Sequence, residues 1–293
     1  MLKRTAAPIF CVSLIAGPTF GADVDKSVAH PAMWTVHGKH STVYLLGSVH
    51  ILPPNFVWRD ERIEKAIYSA DTYVFEAPTD ADAAKHVFAD KGALPPGQSL
   101  RAMLPPEAQT DLDADFAMVH VPEASFDTRR PWLVSLALSA IQMTQNGNSP
   151  YSGVDFSIMA EVGARGKPVR YLETLEQQFA LLAPDDPKVE LDSFEAFLKD
   201  FRTEKDELPA MIHAWSVGDL KTLNDLTLGH LAEHPDARKA LIDDRNRAWI
   251  KQIEPMLDNE KGTFLITVGA LHLVGDVGVP ALLRADGYKV EGP

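Results

Sequence analysis

Two histidines, each three residues after a glycine, are the side chains best suited to chemistry in this sequence. They occur in GSVH at residues 47–50 and GALH at residues 269–272. Both motifs follow apolar stretches typical of buried strands, and ligands of open α/β sheets bind beyond the carboxyl ends of such strands. Because neutral imidazole is a common ligand of catalytic metals, His50 and His272 predict a shared divalent-metal site. The alternative is that each histidine only caps its strand and hydrogen-bonds locally.

Glu76 is the third candidate ligand. It directly follows the apolar residues 73–75 and precedes Pro78. A carboxylate at the end of a buried stretch is unfavourable unless it is paired or coordinated. Two histidines and one carboxylate would leave a coordination position open for water, as in catalytic rather than structural sites. The alternative is a solvated glutamate at a strand end.

Three further polar residues could complete such a site. Glu173 follows another apolar stretch and could act as the general base, or as an acid beside the helix that Thr174 would cap. Asp155 could orient a ligating histidine, or be an ordinary acid in the first turn of a helix. Arg245 could bind an oxyanion or a substrate carboxylate, or form ion pairs on a helix surface.

The elements that must position these residues alternate between strand and helix. Strand patterns occur at residues 33–36, 42–46, 72–75, 167–172, 263–268 and 287–290. The first two can pair as a hairpin, whereas the continuous apolar run at 263–268 indicates a strand covered on both faces. The sequence therefore predicts an α/β fold with a central mixed sheet. Strand–Gly-x-x-His units lie at both ends of the chain, around a mainly helical middle section.

The helical section extends from about residue 80 to residue 258. Within it, residues 131–145 carry apolar side chains at helical spacing after a proline, as do residues 156–162 and 194–201. We expect one domain over residues 22–293, with this section as an insert between the two strand units.

Residues 1–21 have the layout of a secretory signal peptide, and the alternative is a disordered N-terminus of a cytoplasmic protein. Lys3 and Arg4 precede an apolar stretch that is too short to span a membrane, and small residues follow it. The only cysteine, Cys11, lies within this segment, so the mature chain has no thiol for disulfides or catalysis. We expect a periplasmic or secreted protein without a transmembrane anchor.

Charge and motif content narrow the function further. The formal net charge is −13, which disfavours binding to nucleic acids. The sequence has no glycine-rich phosphate loop and no Gly-x-Ser-x-Gly elbow, so serine-based hydrolysis has no support.

Taken in order, these motifs resemble the TraB/GumN family, which is related to the Tiki metalloproteases of animals. The resemblance covers most of the chain, through YLLGSVH, ADTYVFE, GVD, GKPVRYLET, RN and VGALHLVG at residues 44–50, 70–76, 153–155, 166–174, 245–246 and 268–275. It implies an α/β fold in which His50, Glu76 and His272 bind a divalent metal, manganese- or cobalt-like in the Tiki relatives. Ser48 stands where a threonine is usual in the first motif.

The leading hypothesis is a metal-dependent hydrolase, with a peptidase favoured, that uses manganese, cobalt or zinc. The metal would lower the pKa of a bound water and polarise the scissile carbonyl, with Glu173 as base and Arg245 at the oxyanion. Two alternatives use the same residues: a non-catalytic protein that binds a metal complex or a haem-like ligand, and an esterase-type hydrolase. The substrate, a peptide or a small molecule, is not specified by the sequence.

Overall fold

The strands of a computed structural model confirm the predicted α/β class. The model describes residues 29–79, 81–184, 186–202, 207–231 and 235–293, so the predicted signal peptide lies outside the described residues. The strands are β1 Met33–His37, β2 Ser41–Ser48, β3 Thr72–Phe75, β4 Val169–Tyr171, β5 Gly262–Gly269 and β6 Lys289–Glu291.

These strands form one mixed sheet in the order β4-β3-β5-β2-β1-β6. β1 and β2 form the predicted antiparallel hairpin, and β6 adds antiparallel to β1. The four strands from β4 to β2 are mutually parallel, with Gly47 opposite Val268 and Ser48 opposite Gly269. Because parallel strands end at the same edge, the residues that follow β2, β3, β4 and β5 are brought to one side of the sheet.

Helices fill the rest of the described chain. They are α1 Glu61–Ser69, α2 Ala81–Lys91, α3 Leu100–Met103, α4 Pro106–Met118, α5 Pro131–Gln145, α6 Val154–Ala164, α7 Leu175–Leu182, α8 Pro187–Asp200, α9 Glu207–Ser216, α10 Leu220–Leu231, α11 Pro235–Arg238, α12 Asp244–Asp258 and α13 Val279–Ala285. Short 3₁₀ helices are formed by Glu123–Ser125, Pro150–Ser152 and Ala270–Leu273, and a π-helical turn, Lys239–Asp243, leads into α12.

Two apolar layers cover the sheet because strand side chains alternate between its faces. On one face, Leu46 of β2 packs with Ile63 of α1 and Ile158 of α6. On the other face, Leu45 of β2 packs with Ile253 of α12. The sheet edge that carries the candidate residues is therefore held between α6 and α12.

The middle section has a third hydrophobic core of its own. Leu100, Leu112, Leu138 and Phe194 meet there, from α3, α4, α5 and α8. A helical middle section was predicted, but its separate core was not. The proposed domain boundaries at residues 22–293 stay a prediction.

Individual elements match the sequence expectations to different degrees. The strand expected at residues 167–172 is shorter, and Arg170 and Tyr171 within it are exposed because β4 lies at the edge of the sheet. Helix α5 has the predicted bounds. Within the described ranges, no helix combines the length and apolar character needed to cross a membrane.

Candidate metal centre and active site

Four candidate residues follow the four parallel strands at one edge of the sheet. His50 comes two residues after β2, Glu76 directly after β3, and Glu173 two residues after β4. His272 lies in the 3₁₀ helix after β5. Arg245 of α12 and Asp155 of α6 reach the same edge from opposite faces of the sheet, as their hydrogen bonds to these residues show.

His272 is buried, with one ring nitrogen fixed by Asn246. Asn246 Nδ2 donates to the carbonyl oxygens of Val277, at 2.7 Å, and of His272, at 3.3 Å. The Asn246 amide oxygen must therefore accept from the Nδ1–H group of His272, 2.7 Å away. In the neutral ring Nε2 then carries no proton and has a free lone pair. Burial lowers the pKa of His272 to about 3, so the ring is neutral at physiological pH.

His50 is oriented in the same way by a different partner. Its Nδ1 lies 2.7 Å from Asp155 Oδ2, and its side chain is 64% exposed, so Nε2 faces an accessible site. The Asp155 carboxylate raises the pKa of His50 to about 9, opposed by burial and by Arg245. The contact depends on Gly153, where an added side-chain carbon would lie 2.0 Å from the His50 carbonyl oxygen.

Glu76 is a buried carboxylate with four polar neighbours. Oε1 accepts from the Gly269 amide at 2.6 Å, and Oε2 accepts from Arg245 Nη2 at 2.8 Å and Gln178 Nε2 at 3.1 Å. Oε1 also lies 3.9 Å from Nε2 of His272. Burial opposes ionisation, but these neighbours hold the pKa of Glu76 below its usual value. Because His272 is neutral, the positive charges that act on Glu76 are those of Arg245 and of His50, whose raised pKa keeps it protonated at neutral pH.

Arg245 joins the two glutamates to His272. Its Nε and Nη2 each donate at 2.9 Å to a different oxygen of Glu173, and its Nη1 donates to His272 Nε2 at 3.0 Å. Trp249, one helical turn later, also donates to Glu173 Oε1 at 2.9 Å. Both oxygens of Glu173 are thus occupied. Thr174 caps α7 through a capping box, so the predicted cap is present beside these contacts.

An open cavity of about 490 Å³ borders Glu173. Its lining also includes Pro78, Ala83 and Tyr171, with Thr174 at the start of α7. Of the candidate residues, Glu173 borders this cavity, whereas His50, Glu76, His272 and Arg245 are not part of its lining.

Comparison with known proteins shows the family of this chain. A sequence model of the TraB/PrgY/gumN family matches residues 32–292. The chain belongs to the TraB/PrgY/gumN family. This family member is 27% identical to the uncharacterized protein YbaP of Shigella flexneri over 248 residues, which is 84% of this chain and 88% of the relative. YbaP of Escherichia coli (strain K12) is 27% identical over 243 residues, or 82% of this chain and 87% of the relative.

A more distant relative carries an enzymatic name. The metalloprotease TIKI2 of Xenopus tropicalis is 22% identical over 311 residues, which covers 88% of this chain and 59% of that protein. No solved structure matches the chain.

The residues of this family member could hold a divalent cation at the sheet edge. Both histidines have Nδ1 bonded to an oxygen, which is the usual way in which proteins orient a ligating imidazole. An added carbon on Gly269 would lie 3.2 Å from Glu76 Oε1, 3.7 Å from His50 Nε2 and 3.7 Å from His272 Cδ2. Three candidate donor side chains therefore surround one small space that only a glycine leaves open.

The guanidinium of Arg245 occupies part of the space between the candidate ligands. Across the described ranges, no three His, Cys, Asp or Glu side chains are already grouped at coordinating distances. The guanidinium instead donates to His272 Nε2 and Glu76 Oε2. A separation of 3.9 Å between Glu76 Oε1 and His272 Nε2 still suits two ligands of one metal, whose bonds are about 2.0–2.2 Å long.

The two motif glycines permit close packing rather than an unusual backbone turn. Neither Gly47 nor Gly269 has a positive φ, so neither is needed for an unusual turn. Each instead permits a close approach: an added carbon on Gly47 would lie 3.1 Å from Ala270, and the carbon on Gly269 would enter the candidate site.

Three contributing residues were not identified from the sequence as site residues. Asn246 orients His272, Trp249 supports Glu173, and Gln178 bonds Glu76. The signal for Asn246 and Trp249 was their spacing, since Trp249 lies three residues after Asn246 and four after Arg245, and such residues share one helix face. Gln178 had no comparable signal, because its contact joins α7 to a distant strand end.

Proposed function

We propose that this protein is a metal-dependent hydrolase that cleaves peptide bonds, with His50, Glu76 and His272 holding the cation. The observation that carries the proposal is the matched orientation of the two imidazoles at one sheet edge. Each has Nδ1 held by an oxygen, which leaves Nε2 for the site. The similarity to a protein named metalloprotease TIKI2 supports the same reaction class.

A bound divalent metal supplies an activated water and a Lewis acid for the carbonyl. Asp155 and Asn246 keep the imidazoles in place while Glu76 balances charge. Arg245 donates to His272 Nε2 and Glu76 Oε2, two of the atoms that would hold the cation, and its N–H groups would then be available to a substrate oxygen. Manganese, cobalt and zinc all accept this ligand set.

Glu173 has a different role in this proposal from the general base expected from the sequence. Both of its oxygens accept from Arg245, and Oε1 also accepts from Trp249. The carboxylate is therefore already engaged, by Arg245 at both oxygens and by Trp249 at one. We therefore assign Glu173 the task of positioning Arg245, which keeps its predicted role at the substrate oxygen.

Metal content is the decisive test. The protein is purified without affinity metals or chelators, and bound manganese, cobalt and zinc are measured by mass spectrometry for wild type, His50→Ala and His272→Ala. We expect close to one metal per chain in wild type and less than a tenth of that in each variant. His213→Ala is the matched control, because His213 is exposed on α9 and outside the site. Equal metal content in all four proteins would refute the site.

Hydrolysis is tested on the same preparations. A mixture of peptides is incubated with each protein and each metal in turn, and new termini are identified by mass spectrometry. We expect cleavage by metal-loaded wild type and the His213→Ala control, and none by the two site variants. Metal binding without any cleavage would contradict the hydrolase assignment and favour a binding protein.

We also propose that the protein is exported to the periplasm or the medium. The basis is the charge and hydropathy pattern of residues 1–21. Mass spectrometry of the mature N-terminus should find a chain that begins near residue 22 in the periplasmic fraction. An uncleaved chain in the cytosol would contradict export.

A further inference from the structure

Two aromatic rings are exposed together beside the proposed metal centre. The side chains of Tyr151 and Phe156 are 73% and 38% exposed. Their ring centroids are 5.0 Å apart, with planes at 78° in a T-shaped contact. A solvent-exposed pair of aromatic rings presents apolar surface to water, and a ligand can cover this surface.

The chain places this aromatic pair next to His50. Phe156 directly follows Asp155, whose carboxylate lies 2.7 Å from His50 Nδ1. Tyr151 lies in the 3₁₀ helix that leads to Gly153, and the Cβ position of Gly153 lies 2.0 Å from the His50 carbonyl oxygen. The backbone that carries both rings therefore lies directly against the backbone of His50.

The segment that carries the rings is fixed to the motif loop. The Val154 amide donates to the Val49 carbonyl at 3.0 Å. Leu52 and Ser149 exchange two backbone hydrogen bonds, at 3.3 and 2.9 Å. These contacts hold the backbone on both sides of Tyr151, so the pair presents a preformed surface.

The stretch of chain that leads to the rings carries no charged side chain, which favours an uncharged ligand for them. Residues 131–154 contain no Asp, Glu, Lys or Arg, although charged residues make up 24% of the chain. Asp155 itself is engaged by His50. The aromatic pair therefore lies at the end of a long neutral segment on an otherwise acidic protein.

We propose that Tyr151 and Phe156 form a subsite for an apolar side chain of the peptide substrate, next to the bond that is cleaved. This inference rests on the proposed peptidase function and adds a sequence preference to it. Covering the two rings with a leucine- or phenylalanine-sized side chain should favour that substrate about 10- to 100-fold over one with serine or glycine.

The first experiment compares cleavage specificity. Metal-loaded wild type and the double variant Tyr151→Ser/Phe156→Ala digest the same peptide mixture, and residues around each cleavage site are tabulated. We expect large apolar residues to be enriched at one position beside the cleaved bond in wild type, and this enrichment to disappear in the variant. Tyr68→Ser is the control, because Tyr68 is 60% exposed on α1 and contacts Arg165 instead. Enrichment that is absent, or equal in all three proteins, overturns the subsite.

A second experiment separates this inference from the proposed function. Metal-free protein is titrated calorimetrically with two blocked pentapeptides that differ only in phenylalanine or serine at the central position. Wild type should bind the phenylalanine peptide about tenfold more tightly, and the double variant should bind the two equally. If wild type cleaves nothing but keeps this difference, the peptidase proposal fails and the apolar subsite stands. Equal binding of both peptides by wild type overturns the subsite.

Discussion

Replacing Asn246 by alanine tests how the buried imidazole is held. The Asn246 side chain is fully buried and makes short hydrogen bonds of 2.7 Å to His272 Nδ1 and 2.7 Å to the Val277 carbonyl. Alanine leaves one buried donor and one buried acceptor without partners. Each unsatisfied group costs about 1–3 kcal/mol, so the free energy of unfolding should fall by about 2–5 kcal/mol.

The same substitution should weaken metal binding. Loss of the group that orients a ligating histidine lowers metal affinity by about 10- to 100-fold. Asn246→Asp separates the two effects: it keeps an acceptor for His272 Nδ1 but loses both donors. We expect it to lose comparable stability and a smaller share of metal affinity.

Urea unfolding and manganese titration measure both quantities. Unfolding can be followed by tryptophan fluorescence, since the rings of Trp249 and His272 are 4.3 Å apart. Asn259→Ala is the control, because Asn259 is an exposed residue at the end of the same helix. Asn246→Ala with the stability and manganese affinity of wild type would refute the assigned role of Asn246.

Three further predictions concern other parts of the molecule. Asp155→Asn should lower the pKa of His50 from about 9 toward 6.5, measured by NMR of metal-free protein. The stability that the His50–Asp155 pair adds to wild type is complete below pH 6.5 and is lost as pH rises through about 9. The same His50 pKa in both proteins, or a stability difference between them that does not shrink as pH rises to 9, would contradict this. Gly269→Ala should reduce bound metal at least tenfold, because its added carbon enters the space between Glu76, His50 and His272. The control Gly163→Ala has open space around the added carbon and should bind metal as wild type does. Equal metal content in the two variants would contradict a site in that space. Burial raises the pKa of Asp115 from 3.8 to about 6, so its contribution to stability, up to about 3 kcal/mol, is complete below pH 3.8 and is lost as pH rises through about 6. Urea unfolding across this range should show a slope in wild type that the Asp115→Asn variant lacks, and identical slopes would contradict this.

The sheet and the row of candidate residues could be predicted from the sequence. The apolar pattern marks the strands, and the position of each polar residue directly after a strand places it at the sheet edge. Continuous apolar strands that end in Gly-x-x-His imply parallel neighbours, and the pairing of β2 with β5 confirms this for residues 47 and 268. Once the strands are parallel, His50, Glu76 and Glu173 must reach the same edge. Their spacing in the chain was therefore sufficient to predict their proximity.

The partners of these residues could not be predicted in the same way. Arg245 reaches Glu76, Glu173 and His272 only because α12 packs across one face of the sheet, and helix packing is not encoded in local spacing. The sequence suggested a base at Glu173, but long-range packing supplied a guanidinium for both of its oxygens. The same limit applies to Gln178, which reaches Glu76 from the neighbouring helix.

The most direct test of the metal centre is a crystal structure of protein loaded with manganese, with data collected at the manganese edge. We predict one anomalous peak at the edge of the sheet, within about 2.0–2.3 Å of Nε2 of both His50 and His272 and close to the Glu76 carboxylate. Manganese bound only elsewhere, or at just one of the two imidazoles, would contradict the proposed centre.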